Sequence, residues 1–296
     1  MENKKIFVVG SVNTDLVIEA PYMPKSGETL TGDGFFTAHG GKGANQAVAA
    51  ARLGGKVVMC ACVGNDDFGK DAVEAMKKGG IDTTFVRIVK DAPTGTAVIV
   101  VVGGDNRIIL DKGANERLCE EDIDAALSEA QAGDIYLTQL ENPVDVIGYG
   151  LKKAREKGMF VILNPAPANA EISKYLGYCD LVIPNETELA ILGGAEELSK
   201  KVKRLAVTLG GEGFGIYSDE KMRKYPCKKI KPVDTTGAGD TFCGGLCVGL
   251  SEGKTLEEAA KFGSKAATLA CLKKGAQSSV PTRPEVDFAD REERKT

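Results

Sequence analysis

The residues best suited to chemistry stand where small residues open a helix beside an acid. The run Val233-Asp234-Thr235-Thr236-Gly237-Ala238-Gly239-Asp240-Thr241-Phe242 leads into a helical pattern. Two glycines around Ala238 let successive backbone N–H groups converge at a helix N-terminus, which forms an anion site without side-chain cations. Asp240 falls in the first turn, as either a helix cap or a base beside a bound phosphate. The glycine pair favours the base. A second helix opens on Gly40-Gly41-Lys42-Gly43-Ala44-Asn45-Gln46. Adjacent glycines allow close approach there, with Lys42 and Asn45 in reach of a polar ligand; the same string also serves as an ordinary helix start. Asn13 and Asp15 follow a strand that ends in Gly10 and Ser11. If extended, they share one face, and a carboxamide beside a carboxylate suits vicinal hydroxyls. A turn would use the same two residues.

Further polar residues close apolar runs: Gln139-Leu140-Glu141, Asn164-Pro165-Ala166-Pro167 and Asn185-Glu186-Thr187-Glu188. Strand ends are where a doubly wound sheet places its sites, although Asn-Pro and Asn-Glu are also common turn and cap pairs. The loop Thr208-Leu209-Gly210-Gly211-Glu212-Gly213 is flexible enough to admit a nucleotide closely. Several look-alikes fail on chemistry. Residues 64–71 approach the P-loop pattern, yet Asp71 stands where a Ser or Thr hydroxyl is needed, and Asp66 and Asp67 would repel phosphate. Gly253-Lys254-Thr255 ends like a P-loop but has Val248 in place of its first glycine. No GxGxxG follows the first strand, and His39, the single histidine, supports no Ser/His/Asp triad.

These residues need elements to hold them, and strand and helix signals alternate almost throughout. Strands are predicted at Lys5–Val9, 56–63, 135–140, 159–163, 181–183 and 205–209. Helices are predicted at 43–53, through 72–78, and at 120–131, Val144–Glu156, 241–250 and 256–272. Such alternation implies an α/β fold, with a mostly parallel, doubly wound sheet and helices on both faces. Two segments break the rhythm, with strand-like pieces at 16–20, 29–37, 97–102 and 107–110. They predict a small β-sheet lid from insertions at about 14–38 and 94–111, within one domain spanning 1–296. A plain hairpin elaboration is the alternative.

With 43% apolar and 27% charged residues, the composition is that of a globular protein with a substantial core. A net charge of -4 offers no long-range attraction to nucleic acid or an anionic membrane. The start MENKKIFVVG lacks the apolar core and cleavage site of a secretory signal. Eight scattered cysteines without a CxxC pair predict reduced thiols, no zinc site and a cytoplasmic chain.

In order along the chain, GSVNTD (10–15), GGKGANQAVAAARLG (40–54), VGNDDFG (63–69), TGTAV (94–98), KGAN (112–115), QLE (139–141), NPAPA (164–168), PNETE (184–188), TLGGEG (208–213), DTTGAGDTF (234–242) and KGAQSSVP (274–281) resemble the phosphofructokinase-B-type sugar kinase family. GGKGANQA, NPAPA and KGAQSSVP bring the resemblance nearest to members that phosphorylate ribose. The resemblance implies a three-layer fold with a lid, ATP as phosphate donor, Mg²⁺, K⁺ as an activator, and a homodimer through the lid. It implies Asp240 as catalytic base, with Gly237, Ala238 and Gly239 as anion hole. Asn13, Asp15, Gly41, Lys42, Asn45 and Glu141 match ribose contacts. Asn185, Glu188, Thr208, Gly210 and Gly213 match the ATP site, with Glu188 serving Mg²⁺ indirectly. Asp234, Thr236, Ala270, Gly275 and Ser279 match a monovalent-cation site. The stretch 193–208 is shorter than the pattern suggests, which predicts a peripheral helix cut down or missing near the nucleotide site.

Overall fold

The computed structural model describes residues 4–218 and 221–293, so the first three residues of the charged start lie outside the described residues. The strands, in chain order, are β1 (Lys5–Val9), β2 (Asn13–Glu19), β3 (Asp33–Gly40), β4 (Lys56–Gly64), β5 (Asp82–Val89), β6 (Gly95–Val102), β7 (Asp105–Asp111), β8 (Ile135–Thr138), β9 (Phe160–Leu163), β10 (Leu181–Val182), β11 (Leu205–Thr208), β12 (Phe214–Ser218) and β13 (Lys221–Tyr225). The helices are α1 (Lys42–Arg52), α2 (Asp67–Lys78), α3 (Glu120–Leu127), α4 (Val144–Glu156), α5 (Glu186–Ile191), α6 (Gly194–Ser199), α7 (Ala238–Ser251), α8 (Leu256–Ala270) and α9 (Arg283–Glu293).

Nine strands form one sheet in the order β13-β12-β11-β10-β9-β8-β1-β4-β5. It is parallel from β5 to β11 and antiparallel at β12 and β13. Its central strands are apolar on both faces, as a helix-covered parallel sheet requires. Ile6 and Val8 join one core with α1, α7 and α8, while Phe7 and Val9 join a second with α3 and α4. The strand order reverses at β1, which lies between β8 and β4. Ligands bind beyond the carboxyl ends of strands at such a point, and Ser11 and Glu141 follow the ends of β1 and β8.

Strands β3-β2-β6-β7 form a separate small sheet, with β2 and β6 parallel and both outer pairs antiparallel. Asn13 and Asp15 lie on β2, so the extended reading of that pair is the one the fold adopts.

Small residues set the approach of α1 to α7. A Cβ added at Gly244 would lie 2.7 Å from the Ala49 Cβ and 2.9 Å from the Gln46 carbonyl oxygen. Only glycine there lets the Ala-rich α1 pack this tightly, which draws the first turns of the two helices together.

Several sequence boundaries shift for physical reasons. Helix α2 starts at Asp67 because Asp66 caps it, accepting from the Gly69 N–H at 2.8 Å. Asp66 also accepts from the Thr94 N–H and hydroxyl at 2.7 and 2.6 Å, so the P-loop look-alike is a cap pinned to the start of β6. Helix α3 ends at Leu127 rather than 131. Strands β5, β12 and β13 and helix α9 went unread in the sequence. The shortened stretch 193–208 holds one six-residue helix, α6, directly after the six-residue α5, with Leu198 and Val202 buried beneath it. All eight cysteines are free. Among the described residues, no helix is long and apolar enough to cross a membrane.

Candidate active site

Asp240 is the third residue of α7, 8% exposed, and both its oxygens are engaged. The Asn45 amide donates to Oδ2 at 3.2 Å, and the Gln46 amide donates to Oδ1 at 2.9 Å. Before it, Gly237 takes a left-handed conformation, φ 73°, as the N-cap. The Ala238 N–H donates to the Thr235 carbonyl at 3.2 Å. Gly239 is exposed and has nothing within 4 Å of where a Cβ would stand. A helix N-terminus with unspent amides and open space around it accommodates an anion.

Glu141 organises the neighbouring corner. Its Oε2 accepts from the Ser11 hydroxyl at 2.5 Å and from the Lys42 N–H at 3.0 Å, while the Ser11 hydroxyl oxygen accepts from the Gly43 N–H at 3.2 Å. The backbones touch here: a Cβ on Gly41 would fall 2.7 Å from the Asn13 nitrogen, and φ at Gly41 is 86°. Asn13 is buried, its Oδ1 accepting from the Asn115 amide at 2.7 Å. Asp15 lies against Gly40, whose added Cβ would sit 2.2 Å from the Asp15 Oδ1. Burial, followed by the Glu141 charge, pushes the Asp15 carboxyl up to about 6. The Asp240 charge, opposed by burial and helped by Glu141 and Glu188, holds the Lys42 ammonium above its ordinary range. One cation thus serves three carboxylates from three elements.

On the other side of Asp240, Asn185 and Glu188 form the capping box of α5, with bonds of 2.8 and 2.9 Å between each side chain and the other's N–H. Burial raises the Glu188 carboxyl, against the Asn185 N–H bond and the Lys42 charge. Asn185 bridges to Thr208 at the end of β11, and Gly210 and Gly213, both at positive φ, turn the chain into β12. A cavity of about 920 Å³ opens nearby, lined by Phe214, Tyr225, Cys227, Ile230, Thr268 and Leu269 among others. The Cys227 thiol ties its wall to the 208–213 loop by donating to the Gly211 carbonyl at 3.3 Å.

The residues matched to a cation site are brought together in part. Asp234 Oδ1 accepts from the Thr236 N–H and hydroxyl at 2.9 and 2.7 Å, and Oδ2 accepts from the Gly275 N–H at 2.8 Å. Burial pushes the Asp234 carboxyl up, but these bonds outweigh it and hold it below the usual range. Ala270 and Ser279 are buried and bond within their own segment: the Ala270 carbonyl accepts from the Lys273 N–H at 3.0 Å, and the Ser279 hydroxyl donates to the Ala276 carbonyl at 3.1 Å. No group of three or more His, Cys, Asp or Glu side chains among the described residues is arranged to hold a metal ion.

The pfkB family carbohydrate kinase model matches residues 3–283. The chain belongs to that family. It is 42% identical to a ribokinase of Haemophilus influenzae, an alignment covering 95% of this chain and 97% of the relative. Among solved structures it resembles a ribokinase from Giardia lamblia, with TM-score 0.88 and 32% identity over 98% of this chain and 99% of that one. A ribokinase of Arabidopsis thaliana complexed with ribose and ATP gives TM-score 0.84 and 33% identity, covering 97% and 98%. The polar side chains of this site cluster at the carboxyl ends of the parallel strands.

Six residues of the site carry no role that the sequence assigns: Ser11, Gln46, Asn115, Gln139, Asn164 and Gln277. Each lies inside one of the motifs quoted above. Gln46 directly follows Asn45 in GGKGANQ, and a signal was available in the strand-end position of Asn164. Their partners, however, are distant in the chain.

Proposed function

We propose that this chain phosphorylates D-ribose at the 5-hydroxyl, using ATP and releasing ribose 5-phosphate and ADP. The observation that carries the reading is the buried Asp240 carboxylate, held by two amides beside the open anion site at 237–239. Similarity to ribokinases over nearly the whole chain supports the choice of sugar.

On this reading Asp240 takes the proton of the 5-hydroxyl as that oxygen bonds to the γ-phosphorus. The bond from phosphorus to the β–γ bridging oxygen breaks, and ADP leaves. The Gly237 and Gly239 amides stabilise the charge on the transferred group, and positioning supplies much of the rest. Asp15, Asn13, Lys42, Asn45, Glu141 and the Gly41 backbone grip the sugar's other hydroxyls. Asn185, Thr208, Gly210 and Gly213 receive the nucleotide, with its base directed toward the 920 Å³ cavity.

A single nearby carboxylate, Glu188, suits Mg²⁺, which is commonly held by one or two carboxylates plus substrate phosphates. When bound, Mg²⁺ neutralises phosphate charge; Glu188 would meet it through water. Potassium would act at the junction of the Asp234 and Gly275 loops, through backbone carbonyls rather than the already engaged Asp234 oxygens. The small sheet serves as a lid over the sugar, and a second copy of the chain covers its exposed apolar side chains.

The test is ADP release across pentoses, hexoses and nucleosides, with potassium exchanged for sodium or lithium at constant ionic strength. Ribose should give the highest kcat/KM, and potassium the highest kcat. A nucleoside or hexose preferred over ribose would overturn the substrate, and equal rates with all three ions would remove the cation site.

A further inference from the structure

Behind Asp240 lies a run of buried carboxamides whose polarity is set from one end. The Ile183 carbonyl can only accept, and the Asn164 Nδ2 donates to it at 2.8 Å. Asn164 Oδ1 therefore faces the other way and accepts from Gln46 Nε2 at 2.9 Å. The same Nε2 donates to Asp240 Oδ1 at 2.9 Å, while Gln46 Oε1 accepts from Gln139 Nε2 at 2.6 Å. Gln46 is 0% exposed and Gln139 1%. Turning over any one amide would set oxygen against oxygen, so the backbone carbonyl fixes every orientation up to the carboxylate. The arrangement is tight from behind as well, since a Cβ on Gly10 would lie 2.2 Å from Gln139 Oε1. Asn45, which serves the other Asp240 oxygen, is itself oriented by the Gln277 amide at 3.0 Å.

We infer that Gln46 is the positioning residue of the phosphoryl transfer: locked by Asn164 and Gln139, it presents a fixed N–H donor to Asp240 Oδ1 and so keeps that carboxylate aimed. Gln46 acts through Asp240 and touches no substrate. The inference rests on the proposed role of Asp240 as base. The other charged or titratable groups facing Asp240 are Lys42 from α1, Glu188 from α5 and Cys243 on its own helix.

Gln46→Glu keeps the size and removes the donor, leaving an oxygen opposite two acceptors. For ribose phosphorylation, kcat should fall ~10- to 100-fold with KM for ribose and ATP within ~3-fold, the pattern of a disturbed supporting group. Because Gln46 is fully buried, Gln139→Leu is measured in parallel. It unlocks Gln46 without adding charge, and kcat should fall ~3- to 10-fold with the same sparing of KM. A purely structural role would lower the melting temperature and leave the kcat–KM split at wild-type values. Wild-type kcat in either folded variant would overturn the inference. A wild-type chain that transfers no phosphate to ribose defeats the functional reading itself, before any variant is made, and the inference falls with it.

Discussion

The two sheets of this molecule meet at the site but are built on opposite terms. In the nine-stranded sheet, β1 is buried from Ile6 to Val9 and packed on both faces. In the four-stranded sheet, β7 is exposed along its length, and Phe35 and Ile109 stand 64% and 73% open. Apolar patches of this kind mark surfaces that something covers. The contrast divides the labour between two carboxylates. Asp240 is held by helices that the covered sheet anchors, whereas Asp15 rides on the uncovered one, near its buried end. On the proposed reading, the step at Asp240 should therefore be indifferent to assembly, and the sugar grip at Asp15 should respond to assembly and to mild acid.

The largest effect belongs to the covered side. Asp240→Asn keeps the shape but cannot take the proton, so kcat should fall by ~10²–10⁴, the usual worth of a positioned base. Calorimetry should show ribose and ATP binding retained. Near-normal turnover in the folded variant would erase the distinction between the two carboxylates.

Next comes the uncovered side. Asp15→Ala removes charge-assisted bonds to vicinal hydroxyls, worth ~1.5–3 kcal/mol each. The expected kcat/KM loss for ribose is therefore at least ~10-fold, with KM for ATP little changed. For the same reason the wild type should prefer ribose to 2-deoxyribose; equal specificity for the two would mean that the sugar is held the other way round.

The pH response separates the regions further. With its carboxyl at about 6, Asp15 binds a proton in the folded chain over a range where the unfolded chain, near the ordinary value of about 3.9, does not. Stability from this group is thus lost as pH rises from about 4 to about 6. Calorimetric melting of Asp15→Asn should exceed wild type at pH 7.5 and match it at pH 4. Ribose KM of the wild type should rise as pH falls through about 6, and ATP KM should not. An unchanged ribose KM across that range would place the group elsewhere.

How much of this was legible in the sequence follows the same division. The apolar runs of the covered sheet, the glycines at 237 and 239 and the Asn13–Asp15 pair announced themselves through local pattern. Edge elements did not. Strand β13, KMRKY, carries the charges that blunt a sheet edge, and these erase the alternation that marks a strand. The carboxamides behind Asp240 were hidden for a different reason: Gln46 lies 194 residues from Asp240 and 118 from Asn164. Spacing along the chain carries no trace of such contacts. Gly244, which sets the α1–α7 distance, reads in sequence only as a poor helix former.

The smallest expected effect concerns the cover. Ile109→Asp places a charge in the exposed face of the small sheet, so light scattering should report one chain where the proposed pairing through this sheet predicts two for the wild type. Ribose KM should rise a few-fold while kcat stays near the wild-type value. A wild type that is already monomeric at micromolar concentration would show that nothing covers this sheet.

On the proposed function, the carboxylates of the two sheets hold one ribose from opposite ends, with its 5-hydroxyl at Asp240 and its vicinal hydroxyls at Asp15. The position of the transferred phosphate tests this most directly. Carbon-13 ribose incubated with the wild-type chain and ATP should yield a single product with carbon–phosphorus coupling at carbons 5 and 4. Coupling at carbons 1, 2 or 3 would put a different hydroxyl against Asp240 and contradict the account.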